Sequence, residues 1–366
     1  MNPDAPVPPA GPDDGAEPTP EQRLAIKAYM GTPVAAENLA GMRLAKQPLA
    51  GGVFSEVDFS GADFRGADLR ETVFDRCRLE GAVFSEAGLR GAVFNQCQAQ
   101  ASQWQRASLR MAKFASSDLG GAVLSGADLA LAAVVKSTLD GADLRGSLID
   151  RTSFIECSAK TATFEGVAMY GVLFHRCVLD EARLDGIRIE LGAFHETPLK
   201  GRSFAGQDLM GVQFIGCALQ GCDFSGARIE KCNFNKAVLD GARFVNVRGA
   251  NALFPEAAGE GCDFSGAQLD QAIFVQSRWK GCRFDGAWLH QAIWQHAALV
   301  DSTLRGCELK YADFSHADLS GSDFTDSRMF RTKLHAARDA GARFTDRAQA
   351  LETDPVLAKA EAWPPP

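Results

Sequence analysis

The stretch Ala62-Asp63-Phe64-Arg65-Gly66-Ala67-Asp68-Leu69-Arg70-Glu71 decides the fold. It is one five-residue unit written twice: a small residue, a polar one, a large apolar centre, another polar one, then glycine or a substitute. Stepping outward from Phe64 by fives, the centre recurs without one insertion or deletion. The series runs from Leu39 to Phe344, 62 positions in a single register. Only Ala99, Ala159, Gly249, Gly259 and Asp339 lack a large apolar side chain there.

A period of five fits neither a helix at 3.6 residues per turn nor a flat strand at 2. A helix would smear the Leu and Phe positions around its circumference. A chain that turns a corner every five residues keeps them all pointing inward. This pattern resembles the pentapeptide-repeat family over roughly residues 39–344. The resemblance implies an all-β fold, a right-handed quadrilateral β-helix with four pentads per coil. It also implies that the centre and the small residue two before it both face inside.

The distribution of aromatics supports a four-sided coil independently. Sorted by position within a 20-residue frame, 22 of the 24 phenylalanines fall on two alternate faces. One is the series Phe54, Phe74, Phe94 and Phe114; the other begins Phe64, Phe84 and Trp104. The remaining two faces are mostly aliphatic, as in Leu69, Leu89, Leu109 and Leu129. Stacked rings on two opposite faces and stacked aliphatics on the others fill a narrow interior. At the ~4.8 Å inter-strand spacing, about 15 coils predict a rod roughly 70 Å long. Between residues 39 and 344 only Pro48, Pro198 and Pro255 occur, all at outward positions. That scarcity fits a chain whose N–H groups bond to the next coil.

The ends read differently. Residues 1–18 are rich in Pro, Asp, Gly and Ala and are expected to be a disordered tail. Residues 19–38 are expected to hold a capping helix and lead-in. Thr19-Pro20-Glu21-Gln22 is a capping box, and Leu24, Ile26, Tyr29 and Met30 are available to lid the coil. The solenoid is expected over 39–346, and 347–366 as a second capping helix and tail. That helix is placed at 346–360, using Leu351, Val356 and Leu357. Open solenoid ends expose strand edges, so caps are expected.

The formal net charge is −8, of which residues 1–36 carry −3 and residues 346–366 carry −2. The repeat itself is close to neutral, so it is neither a basic nucleic-acid binder nor a strongly acidic mimic. The N-terminus has no cationic and apolar signal pattern, and no apolar run approaches ~18 residues. A cytoplasmic protein without a membrane span is expected, with export lacking a cleaved signal left open.

All ten cysteines, from Cys77 to Cys307, occupy the small inward position. They read as small buried hydrophobes and reduced thiols rather than disulfides or a zinc site, since there is no C-x-x-C pair. The six histidines fall on outward positions, with His175 over His195 and His296 over His316 one coil apart. They read as a solvated ladder. A surface metal site is the competing reading, but no carboxylate or cysteine in the sequence completes one beside them. Asp63-Phe64-Arg65 and Asp68-Leu69-Arg70 read as mixed-charge faces paired across coils. No nucleophile elbow, phosphate loop or dinucleotide fingerprint is present, so no catalytic residue, cofactor or metal is assigned.

One outward feature is less bland. Beside the Phe54 series, outward positions are often apolar: Val53, Val73, Val93, Val135, Ile155, Leu173, Ile215, Leu253, Ile273, Val275 and Ile293. This stripe is the first candidate for an interaction face; β-propensity alone is the competing explanation. The second is the segment Gly249–Gly259 with the exposed Trp288, read as either a protruding element or a locally thinned coil. The expected function is a non-enzymatic, rod-shaped scaffold binding one or more proteins, with homodimerisation included and no direct nucleic acid. In size and Ala/Gly-rich style the chain resembles pentapeptide-repeat proteins of bacterial type VI secretion loci, which implies an accessory or effector-associated role. The alternative resemblance is to the DNA-mimicking, gyrase-binding proteins of fluoroquinolone resistance. The near-neutral repeat weakens that alternative.

Overall fold

The computed structural model describes residues 17–363. The expected disordered tail thus lies outside the described residues, positions 17 and 18 apart. The chain divides into two compact units, 1–189 and 190–366. Both are four-sided parallel β-helices built on one repeating set of backbone bonds.

The pentad around Phe59 accounts for all five of its N–H groups. Phe59 donates to the Arg78 carbonyl at 2.8 Å, Gly61 to Glu80 at 2.8 Å and Asp58 to Glu37 at 3.0 Å. Ala62 closes a turn onto the Phe59 carbonyl at 2.9 Å. The fifth, Ser60 N–H, donates to the Asp58 carboxylate at 2.9 Å. Aspartate before the centre therefore serves the backbone: it satisfies the one N–H that neither coil nor turn reaches. The same bond recurs at Asp143, Asp223, Asp263 and Asp318. Charge pairs do form across coils, as Arg338 with Asp318, but two of the aspartates expected to make them bond within the pentad. Arg65 and Arg70 bond Asp63 and Asp68 of their own pentads, at 2.6 and 2.8 Å.

The glycine position is left-handed throughout. Gly66 has φ +63°, and Glu71, where glycine is replaced, has φ +58°. Glycine is favoured there because an L side chain is strained in that region.

In unit 1 the strands of one face are β1 (Val34–Ala35), β2 (Val53–Ser55), β3 (Val73–Asp75), β4 (Val93–Asn95), β5 (Lys113–Ala115), β6 (Ala133–Val135), β7 (Ser153–Ile155) and, after β8 (Ala168–Tyr170), β9 (Leu173–His175). From β2 onward they pair in parallel at a 20-residue offset, Phe54 over Phe74 over Phe94. The rings inside follow that offset. Phe64 and Phe84 stack at 4.8 Å and 2°, and Phe84 meets the facing Phe94 edge-on at 6.2 Å. Unit 2 repeats this with Phe244 over Phe264 at 4.5 Å and Phe254 over Phe274 at 4.9 Å. Centroid spacing near the inter-strand distance lets each ring stack without straining the ladder.

The small inward position asks for a donor as well as a small volume. Thr72 Oγ1 donates to the Leu49 carbonyl at 3.2 Å, and Thr332 to Leu309 at 2.8 Å. Cys217 Sγ donates to Phe194 at 2.9 Å, again 23 residues back. All ten cysteines are buried, and none of them is in a disulfide. Burial pushes the Cys217, Cys232 and Cys307 thiols up to about 12, so the reactive thiolate is suppressed.

Helix α1 spans Pro20–Tyr29 with Thr19 as N-cap and a reciprocal bond from Gln22. Its buried face is Leu24, Ala25 and Ala28, while Tyr29 and Met30 are exposed. Helix α2 is shorter than expected, Pro355–Glu361 rather than 346–360. Asp354 caps it and Pro355 starts it, so helix cannot extend backward through the proline. Leu351 instead continues the sheet, bridging Lys333, with Leu334 N–H on its carbonyl at 2.8 Å. Val356 and Leu357 are exposed and α2 buries no residue. Polar contacts, rather than an apolar face, hold this helix.

Candidate functional site

The apolar outward residues resolve into two columns flanking the buried centres. In unit 1, Val53, Val73 and Val93 stand directly over one another on the leading side. Lys113 breaks that column, and apolar residues continue on the trailing side, where Val135 pairs Ile155. Leu173 returns to the leading side, paired to Ser153. In unit 2, Leu253, Ile273 and Ile293 make a leading column, with Ile215 and Val275 on the trailing side. Each of these side chains is half-buried. Trp288 is 53 % exposed and lies on the neighbouring face, bridged to Gln268 and Glu308. Its ring meets His290 edge-on at 5.9 Å, and His290 bonds Asp270 at 2.7 Å.

Gly249–Gly259 is a regular coil and does not protrude. Gly249 N–H donates to Gln268 at 2.7 Å, and Ala258–Glu260 pair Arg278–Lys280 in parallel. The two missing side chains are replaced by neighbours. A Cβ on Gly249 would meet Leu269 at 2.9 Å and Ile229 at 3.0 Å. At Gly259 it would meet the Trp279 ring at 3.1 Å and press into Cys262 Sγ.

The histidines do not form one solvated ladder. His296 and His316 stack at 4.8 Å and 7°. His335, expected outward, is only 5 % exposed. The carboxylate missing from the repeat arrives from α2. Glu361 Oε2 lies 3.0 Å from His335 Nε2, and its Oε1 3.2 Å from His316 Nε2. His335 Nδ1 accepts the Asp354 N–H at 3.1 Å. The imidazole thus ties together the N-cap and last residue of α2. Bonds from His335 and then His316 hold the Glu361 carboxyl below its ordinary range. A pocket of about 730 Å³ opens beside them, with Gln295, Asp313 and Lys333 among its walls. No repeat rule reaches Glu361, which lies 45 residues from His316. The only sequence signal was the unusual stacking of His296 and His316.

Two family models match the chain. One, a pentapeptide repeat region, covers residues 52–124. The other, pentapeptide repeats, covers 107–146, 208–251, 262–293 and 295–335. No curated protein matches. Among solved structures, HetL, a pentapeptide repeat protein involved in heterocyst differentiation regulation from the cyanobacterium Nostoc sp. strain PCC 7120, is 20% identical. That match covers 76% of this chain and 94% of HetL, with a TM-score of 0.26. QnrB1, a plasmid-mediated fluoroquinolone resistance protein, is 14% identical over 90% of this chain and 92% of its own, at 0.17. Rfr23 from the cyanobacterium Cyanothece 51142 is 18% identical over 39% of this chain and 91% of its own, at 0.18. With its unbroken five-residue frame, its four-sided coils and these matching models, the chain belongs to the pentapeptide-repeat family.

Proposed function

We propose that the protein is a non-catalytic scaffold that binds protein partners, itself included, through outward residues on the flat faces of its coils. The observation that carries this reading is the pair of apolar columns, Val53–Val73–Val93 and Leu253–Ile273–Ile293. Each is half-buried and aligned by strand register. Two further features support it. Among the described residues the interior is filled by stacked side chains, such as Phe64 over Phe84 and Phe254 over Phe274, rather than shaped as a substrate pocket. Charged and polar residues vary between pentads at the outward positions, and specificity resides there.

The charges favour this over a nucleic-acid mimic. Arg76 pairs Glu56 at 2.9 Å, Arg106 pairs Glu86 at 2.6 Å and Arg228 pairs Asp208 at 2.7 Å, each one coil apart. Lys280–Glu260 and Arg328–Glu308 repeat the arrangement. Such ladders cancel the outward carboxylates locally, whereas a duplex mimic needs them unpaired. The narrower role of accessory to a secretion system rests on the style of the sequence and is a question for partner capture.

The test is the triple variant Val73→Glu, Val93→Glu and Ile273→Glu beside its Thr counterpart. Both should retain the circular dichroism of the parent. The Glu variant should lose self-association in sedimentation and partner capture from the native host, because each charge would be desolvated in the complex. The Thr variant, which keeps β-propensity, should lose less. A Glu variant that folds and keeps its oligomeric state and every partner would sink the assignment. Secretion components among the captured proteins would support the accessory role, and gyrase subunits the mimic.

A further inference from the structure

We propose that His316, His335 and Glu361 form a site for one divalent transition ion of the zinc or nickel kind, and that loading it loosens the N-cap of α2. The donor set is two imidazoles and a carboxylate, which suits borderline divalent metals. Their ligand atoms lie within 4.8 Å of one another. Metal–ligand bonds of about 2.0–2.2 Å hold neighbouring donors roughly 3.0–3.5 Å apart. The two nitrogen–oxygen separations here are 3.2 and 3.0 Å, already in that range. The side chains of His316 and Glu361 are 32 % and 38 % exposed, so an ion and its remaining waters have access from the adjoining pocket.

The proton inventory gives the site its distinctive consequence. Because Asp354 N–H donates to His335 Nδ1, neutral His335 carries its proton on Nε2 and donates it to Glu361. His316 Nε2 likewise faces a Glu361 oxygen and donates to it, so an ion taking both Nε2 lone pairs moves each proton to the Nδ1 of its own ring, and both rings remain neutral. The proton on His335 Nδ1 then faces the Asp354 N–H, and two donors cannot share that bond. The carboxylate of the same residue, beside the pocket, becomes the acceptor. A metal-bound imidazole commonly gives its second N–H to such a carboxylate. Glu361 binds through its carboxylate oxygens, and no redox partner is needed.

The experiment uses the full chain without a histidine tag, titrated calorimetrically with zinc and separately with nickel, and repeated with His316→Ala, Glu361→Gln and, as control, His290→Ala. The expected result is one ion per chain, affinity lowered at least tenfold by either site variant, and no change in the control. His316 and Glu361 are partly exposed, so their variants should fold, and circular dichroism checks this. Hydrogen exchange at the Asp354 amide should quicken several-fold on loading in the parent and not in His316→Ala. Absence of binding, or equal binding by parent and both site variants, overturns the site. Binding that leaves Asp354 exchange unchanged overturns the coupling.

Discussion

The interior around Trp279 and the C-terminal end around His335 are both buried, yet they are built on opposite principles. At Trp279 a large ring fills the space left by Gly259, one coil away in strict register. The surplus of one rung is the deficit of its neighbour. At His335 the partners are Glu361 and Asp354, 26 and 19 residues away, in no register at all. In one region packing enforces the repeat; in the other a short helix without an apolar face is pinned by polar bonds. Periodicity and burial are therefore separable in this molecule, and each can be broken without the other.

The largest effect should come from the first region. Trp279→Ala leaves a hole beside a residue with no side chain to collapse into it. Loss of stability by ~3–5 kcal/mol is expected in chemical denaturation. Gly259→Leu alone should also destabilise, by about 1–3 kcal/mol, through overpacking against Trp279 and Cys262. Combining Gly259→Leu, Cys262→Ala and Trp279→Leu rebuilds an ordinary rung and should recover much of either loss. Costs that simply add would show that the two positions do not compensate.

The same contrast explains what could be read beforehand. The four-sided coil was legible because every centre from Leu39 to Phe344 obeys one spacing and ring type sorts by face. Gly249 and Gly259 look like interruptions only along the chain; across coils Leu269, Ile229 and Trp279 complete them. The service of Asp58 to the Ser60 N–H follows from a full accounting of backbone donors, which the pattern alone does not provide. Helix α2 departs from the expectation because apolar Val356 and Leu357, which suggest a burying face, are exposed. The helix is instead placed by Pro355, Asp354 and Glu361. A contact between a repeat and a non-repeat segment carries no period to detect.

Asp323 lies between the two regimes: an outward repeat position, yet only 7 % exposed. The Thr325 hydroxyl, its N–H and the Arg305 guanidinium bond it, and they lower its pKa from 3.8 to about 2. Folded pKa below unfolded means that stabilisation is complete above about pH 4 and lost as pH falls through about 2. Discounted for solvent screening of the Arg305 pair, the stabilisation is about 1 kcal/mol. Asp323→Asn should cost about that at pH 7, and the gap from the parent should close toward pH 2. A gap independent of pH would mean that shape, not charge, matters at this position.

The smallest effect tests the interior in the stabilising direction. Trp104 Nε1 donates to Ser102 at 2.6 Å, and Trp279 Nε1 to Ser277 at 2.8 Å, in both cases two residues earlier. Those hydroxyls in turn donate to the carbonyls of Ala99 and Phe274, three residues earlier. Trp294 is equally buried and stacks on Phe274 at 3.7 Å, but alanine occupies position 292. Among the described residues its Nε1 finds no acceptor. Ala292→Ser adds one oxygen at the matching place, with the Leu289 carbonyl positioned for its proton. A gain of about 1 kcal/mol is expected from pairing a buried donor. Ser102→Ala and Ser277→Ala should move the other way by about 1–3 kcal/mol, each stranding an indole N–H. Denaturation midpoints of the three variants read both signs. If Ala292→Ser destabilises while the two Ser→Ala variants are neutral, the serine two before tryptophan is there for its size, and the unpaired Trp294 Nε1 costs the fold nothing.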